Sequence, residues 1–504
     1  MHNFDFWWSI LTAVAIGTCV FVFGFLGKIN EWYYVRTRFG EKEIKLLPPG
    51  DMGWPLIGST WSFIKAFKSQ VPESFLNSLK TRHGETGIYK ASLFCNPSII
   101  VCHPELCRKV LTDDAQFKLG YPCLSMILGG KSFDFFLSSG HKQFRRLTTS
   151  RINGHEALST HIGSIEDIVI TTLQEWSRRD QPILFTDETN SVAFKVIITI
   201  FLGSACDASV MAEMEKHYTC LFNGLFCSAI NIPGFAFHKA VKVSLKNPCM
   251  KIYNLCKCMI SCCLHQARKM LVKIIQGVLA ERREKANAGK DIIDFIKEVE
   301  DEEGEKLDDE HIIIVLLVFL LAGHESSGRA VSWATMYLHD HPQVLQKAKI
   351  SVPYFRKNKR RSSEQGPRVK KVIDETLRLR TNIFAIFREA KKDANLNGHF
   401  IPKGWKVLVC HSAVHMDPEI YPNPKQFLPS RWDDFKPKAG AFLPFGAGSF
   451  TCPAADLAKL EISIFLHYFL LNYKLEQLNP GGPVNYLPSQ VPADSCPAKI
   501  IKLN

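Results

Sequence analysis

A mainly helical body with a small strand portion, carried behind one N-terminal membrane-spanning helix, is the fold class that this sequence predicts. Three observations predict it. Residues 6–27 contain no charged residue, and an apolar run of that length can span a bilayer. Residues 155–205, 311–321 and the stretch from Leu457 place their apolar residues at helical spacing,. Only short runs, such as Gly87–Lys90, Ser98–Cys102 and Lys406–Val409, alternate or run apolar as strands do,. Apolar residues make up 46% of the chain, ample for a large core,. No repeat or low-complexity tract interrupts it.

The N-terminal span is bracketed by Trp7 and Trp8 on one side and by Trp32, Tyr33 and Tyr34 beyond the other, as interfacial anchors are. A cleaved signal peptide would want a basic start, and Met1–Asp5 holds neither Lys nor Arg,. Lys28, Arg36, Arg38, Lys42 and Lys45 follow the span, so the positive-inside rule puts the body on the cytosolic side. The expected order is a lumenal tip (1–5), an anchor (6–27), a basic linker ending in the Pro-rich hinge Leu47-Pro48-Pro49-Gly50 (28–50), and a body (51–504). The net charge of +13 suits an acidic protein partner or an anionic membrane surface,. No nucleic-acid-binding signature accompanies it, so no nucleic-acid partner is expected. Sixteen cysteines show no even framework of disulfide spacing, which points to a reducing compartment.

Two stretches of the body look foreign to it. Residues 241–266 carry Cys249, Cys256, Cys258, Cys262 and Cys263. The spacing lacks paired Cys-x-x-Cys motifs and a histidine pair, so a metal cluster is disfavoured. An insertion is the favoured account, with Phe235–Ala240 and Ala267–Arg283 joining almost directly without it. Residues 350–371 include the basic run Arg356–Arg361 and are expected to be a solvated loop.

Three constellations carry chemistry. Phe445-Gly446-Ala447-Gly448-Ser449-Phe450-Thr451-Cys452-Pro453-Ala454 combines a Gly-rich turn with a cysteine just ahead of a helical pattern. A thiolate there is favoured by the free amides and the helix dipole, which makes the turn a candidate cradle for a metal. The bland alternative is a buried cysteine in a turn. Ala322-Gly323-His324-Glu325-Ser326-Ser327 interrupts an apolar helix; Gly323 weakens it and Ser326 can bond back to a carbonyl. An acid and a hydroxyl in the resulting groove can pass protons, while the bland alternative is a helix end. Glu375 and Arg378 stand at i and i+3 on one helix face, with Phe427–Trp432 and Arg431 downstream,. On its own the pair reads as an ordinary surface contact worth tenths of a kcal/mol.

The order of these motifs resembles that of the cytochrome P-450 superfamily, the haem-thiolate monooxygenases. Their signature Phe-x-x-Gly-x-Arg-x-Cys-x-Gly is matched at Phe445, Gly448 and Cys452, with Phe450 in the place of its Arg and Ala454 in the place of its last Gly. The resemblance implies one large helical unit instead of several domains, and haem b as cofactor, with Cys452 as axial ligand to the iron. It implies proton delivery by Glu325 and Ser326, and propionate binding by Arg388 and by Arg145, which follows His141 at the family's Trp-x-x-x-Arg position. It makes Glu375, Arg378 and Arg431 a buried structural network and puts the substrate loop at Lys118, Tyr121 and on to Gly130. An NADPH-dependent reductase would supply electrons to a monomer in the endoplasmic reticulum membrane. Pro48–Gly58, Asn153-Gly154-His155-Glu156-Ala157-Leu158 and Phe117–Pro122 resemble a plant branch that oxidises polycyclic terpenoids, β-amyrin-type triterpenes first and ent-kaurenoic acid-type diterpenes next. A catalytically impaired relative is the alternative, since Phe450 cannot pair with a propionate and Ala454 would be strained at a positive φ.

Overall fold

The computed structural model describes residues 24, 26–55, 57–94, 96–121, 152–203, 206–225, 252–284, 293, 296, 306, 308–351, 367–487 and 489–503. Most of the expected anchor at 6–27 lies outside them, as do His141, Arg145, the loop 122–130 and Cys249. The chain divides into two compact units: Met1–Gly120 with Ala385–Val414, and Tyr121–Phe384 with His415–Asn504.

The first unit is organised by a sheet built from β1 (Ile88–Leu93), β2 (Asn96–Val101), β3 (Phe117–Leu119), β4 (Ile386–Ala390) and β5 (Lys406–Val409). Their order is β1-β2-β5-β4-β3. Only the β2–β5 pair is parallel, with Ile99 opposite Val407; the rest are antiparallel. Ile99, Ile100, Val101, Val407 and Val409 are fully buried, as consecutive residues of strands covered on both faces are. Asn397 and Gly398 turn at positive φ between two three-residue strands, Ala394–Leu396 and His399–Ile401, the left-handed backbone that Asn-Gly favours. Leu47–Gly50, read as a hinge, is instead pinned to this sheet. Lys90 N donates to Pro49 O at 2.9 Å, and Gly50 bridges Lys90. Lys118, assigned to the substrate loop, pairs from β3 with Glu389 of β4 at 3.1 Å.

The second unit is mainly helical, with a three-stranded antiparallel sheet in which Pro497–Lys502 lies between Ile183–Leu184 and Tyr473–Gln477. Its helices are α1 (His155–Arg178), α2 (Phe185–Leu202), α3 (Ala208–Leu225), α4 (Ile252–Glu284), α5 (Asp309–Gly323), α6 (Ser326–Asp340), α7 (Pro342–Ser351), α8 (Pro367–Leu379) and α9 (Ala455–Asn472). A single apolar cluster fills the space between them. Helix α6 lies at its centre, packed against α2, α8 and α9. Its contact with α2 is close: a Cβ on Gly328 would meet Thr189 O at 2.5 Å, so only glycine fits there. The hydroxyls of Thr186 and Ser332 join the same pair at 2.8 Å. Helices α5 and α6 together, Asp309–Asp340, are long and apolar enough to cross a membrane, yet most of that apolar window is buried inside the protein. They form a core helix pair.

Parts of both foreign-looking stretches lie in helices. Residues 252–266 are the first half of α4, which runs unbroken through Ala267 to Glu284; the cysteine-rich composition hid a helix that starts fifteen residues before the expected junction at Ala267. Ile350 and Ser351 end α7, and Pro367–Lys371 open α8. Lys371 pairs with Asp433, which ties that first turn down.

Candidate haem-thiolate site

The turn before α9 is built by two glycines. Gly446 and Gly448 both stand at φ 74°, a conformation in which a Cβ would crowd the following carbonyl. They reverse the chain into a 3-10 turn, Gly448–Phe450, and Cys452 N then donates to Phe445 O at 2.8 Å. Phe445 packs against the core cluster, with Lys459 Nζ 5.5 Å from its ring centroid. The Cys452 thiol is in no disulfide and only half buried, whereas Cys107, Cys410 and Cys496 are buried. Burial pushes the Cys410 and Cys496 thiols up, the latter to about 12. A half-exposed thiol on a glycine-built turn three residues ahead of a helix has the donor chemistry of an axial thiolate ligand, so these residues fit a haem iron. Ala454 stands at φ −110°. The strain expected of it is absent, because that backbone is open to any residue, and its methyl packs against the core. Phe450 ends the 3-10 turn, half buried.

A buried ionic network lies behind this turn. Glu375 accepts from Arg378 Nε (3.0 Å) and Nη2 (2.9 Å), Arg431 Nε (2.9 Å), Trp432 Nε1 (3.0 Å) and Leu428 N (3.0 Å). The Glu375 and Arg378 side chains are fully buried. Each member has its partners, which is the condition under which a buried ion pair is tolerated. Arg378 Nη1 also donates to His415 O at 2.7 Å. The His415 ring accepts from Leu443 N at Nε2, 2.9 Å, so it is the neutral Nδ1–H tautomer. Through His415 the network reaches Leu443, whose carbonyl accepts from Gly446 N. Sequence reasoning found the carboxylate and its two arginines but missed His415; nothing periodic marks it.

The break between α5 and α6 has the local chemistry its sequence suggests. Ser326 Oγ donates to Ala322 O at 3.0 Å, and Glu325 stands outside the helical backbone at φ −131°, ψ −13°. Ser326 O accepts from Asn382 Nδ2 at 3.2 Å. The Glu325 carboxyl group is paired by Arg329, one turn on, and lies 3.5 Å from His324 Nδ1. Burial lowers the His324 pKa to about 4, Arg329 adding to the effect. Burial also lowers Arg329, to about 10. Arg329 was missed, although the spacing Glu-x-x-x-Arg signals such a pair. Helix α9 adds Glu461, which burial pushes up to about 8 against the pull of the Ser327 hydroxyl.

Arg388 lies in the first unit, buried on β4 between Leu119 and Val407. Its neighbour Glu389 faces Lys406 and Lys118; burial pushes that carboxyl up, and the two lysines together outweigh it and hold it low. Among the described residues no group of three or more His, Cys, Asp or Glu could hold a metal ion.

Comparison with known proteins identifies the family. The family model described as Cytochrome P450 matches residues 48–499. The chain is 48% identical to 7,8-epoxymelianol synthase of Ailanthus altissima over 99% of this chain and 98% of that one. It is 46% identical to beta-amyrin 11-oxidase of Glycyrrhiza uralensis over 99% of each. With ent-kaurenoic acid oxidase 2 of Arabidopsis thaliana it shares 46% identity over 95% of this chain and 94% of that one. The solved structure of retinoic acid bound cyanobacterial CYP120A1 matches with a TM-score of 0.74 at 22% identity, covering 91% of this chain and 99% of that one, which speaks to the fold alone. These relatives are named as enzymes, so the impaired alternative is not favoured. The chain belongs to the cytochrome P450 family.

Proposed function

We propose that this chain is a haem-thiolate monooxygenase of a polycyclic terpenoid, a β-amyrin-type triterpene first and an ent-kaurenoic acid-type diterpene next. The observation that carries the chemistry is the Cys452 thiol on its glycine-built turn. The substrate class rests on the relatives that are named for β-amyrin and ent-kaurenoic acid. Haem b held by Cys452 would supply the oxidising power for inserting oxygen from O2, with electrons from an NADPH-dependent reductase. The chain's own part is to bind, orient and move protons. Glu325 and Ser326 are assigned to proton delivery. A carboxyl group and a hydroxyl are neighbours in sequence at a backbone break, where Ser326 donates its hydrogen to the Ala322 carbonyl, a local back-bond that can exchange for another acceptor. Glu375, Arg378 and Arg431 are assigned to holding the turn's support rigid. The assignment of propionates to Arg388 and Arg145 rests on motif order alone.

The anchor at 6–27 would hold the body (51–504) as a monomer on the cytosolic face of the endoplasmic reticulum. Exposed Trp32, Tyr33, Trp54, Ile57 and Trp61 in the first unit suit a membrane surface. The test is the carbon-monoxide difference spectrum of the purified full chain and of Cys452→Ala, followed by turnover of β-amyrin and ent-kaurenoic acid with reductase. The parent should give the thiolate-type spectrum and Cys452→Ala should lose it. An unchanged spectrum in the variant would overturn the assignment.

A further inference from the structure

Helix α9 begins without a cap of its own. Ala454 has no side-chain oxygen, and its ψ of 27° lies away from the extended backbone of a usual N-cap,. The first intrahelical bond runs from Ala458 N to Ala454 O at 2.9 Å, so the amides of Ala455, Asp456 and Leu457 have no carbonyl behind them in the helix. Asn153 supplies what is missing from about 300 residues away. Its Oδ1 accepts from Leu457 N at 3.4 Å, and its Nδ2 donates to Pro453 O. The orientation of the carboxamide is decided by its partners: a carbonyl can only accept and a backbone amide can only donate.

The bracket is held firmly. Asn153 immediately precedes Gly154, the N-cap of α1, and Gly154 O receives Leu158 N at 2.8 Å. Ile152, on its other side, is fully buried. Helix α1 itself packs along α9. Cys452 thus lies between two fixed points: its own amide on Phe445 O, and the next carbonyl on Asn153.

We propose that Asn153 is a positioning residue for Cys452. It caps from outside the helix that follows the cysteine and pins the peptide just beyond it, so that the sulfur keeps one direction. The inference rests on the haem-thiolate reading for its spectral consequence only. Removing the bracket should let the turn fray and the Cys452 thiolate take up a proton more often, giving the neutral thiol.

The experiment uses the full-length chain as parent, Asn153→Ala and Asn153→Asp. The aspartate keeps the shape and the acceptor for Leu457 N but loses the donor to Pro453 O, so it serves where the alanine variant fails to fold. Asp308→Ala is the control. Asp308 caps α5 by accepting from His311 N at 2.9 Å, and its loss should cost stability without touching the cysteine. Two readouts are taken. In the ferrous carbonyl spectrum, conversion from the thiolate-type to the thiol-type form should be about tenfold faster in both Asn153 variants and unchanged in Asp308→Ala. In hydrogen exchange, the amides of Cys452 and Leu457 should lose protection in Asn153→Ala, and that of Cys452 in Asn153→Asp, while the rest of α9 keeps it. A variant that melts earlier but keeps the parent's conversion rate and local exchange would make Asn153 merely structural and overturn the proposal. A parent without any thiolate-type spectrum would sink the haem reading instead, and the exchange readout would still decide the bracket.

Discussion

Glu375 and Glu325 are both helix-associated glutamates paired with an arginine in the same helix, and they are built for opposite ends. Glu375 is fully buried and accepts from five donors contributed by α8 and by residues 428–432. Nothing about it can move without stranding another charge. Glu325 stands on a backbone break, faced by Arg329 and His324, next in sequence to a serine whose hydroxyl donates to a carbonyl of the preceding helix. The difference teaches how to tell a lock from a relay when the residue types agree. A lock has every lone pair taken; a relay keeps its acid where the backbone is interrupted.

The comparison can be broken most sharply at the lock. Glu375→Gln keeps the shape but leaves Arg378 and Arg431 without a counter-charge, which should cost about 3–5 kcal/mol; thermal unfolding followed by circular dichroism checks this. A loss under 1 kcal/mol would mean that the network is not a lock. At the relay, Glu325→Gln takes a counter-charge from buried Arg329, so it should cost some stability, less than Glu375→Gln does, and turn over about a hundredfold more slowly. Ser326→Ala should bind substrate normally and form several-fold less product per NADPH, measured by coupled product and NADPH assays. Equal coupling in the two proteins would remove Ser326 from the relay.

The buried His324 sharpens the contrast through pH. Its pKa is lowered from 6.5 in the unfolded chain to about 4 in the fold. The unfolded state therefore binds its proton first, and stability present above pH 6.5 is lost as pH falls toward 4. The loss should be on the order of 1–3 kcal/mol. Melts of the parent and of His324→Gln across that window should converge at low pH; parallel curves would refute it. The smallest effect is expected at Ala454. With φ at −110° there is no strain to relieve, so Ala454→Gly should shift stability by less than about 1 kcal/mol and gain nothing in haem loading. A clear gain in loading would restore the strain argument.

How much of this was legible in the sequence follows from the range of each interaction. The break at Gly323 and the Ser326 back-bond are local, spanning four residues, and the sequence carries them whole. Strands β1, β2 and β5 announce themselves by apolar runs. Glu375 and Arg378 are visible as a spaced pair, but Trp432 and Leu428 join them only through folding of the segment before Cys452. Asn153 and His415 act through contacts made across roughly 300 and 30 residues, and no periodicity points to them. The opening of α4 was hidden for a different reason: cysteine is a poor helix former by propensity, and five of them between residues 249 and 263 read as a site before they read as a helix.

The parallel pairing of β2 with β5 has a consequence for how the protein is made. Ile99 meets Val407, so the first unit stays unfinished while some 300 residues are still to be synthesised. Closing a loop of that length costs several kcal/mol of chain entropy before any contact repays it. Until then β2, which ends in the apolar run Ile99-Ile100-Val101, presents an unpaired edge in the growing chain. At ordinary ribosomal speeds that exposure lasts tens of seconds. A nascent chain stalled before residue 400 should be an aggregating species and a client for chaperones, whereas one released after Val409 can complete its sheet.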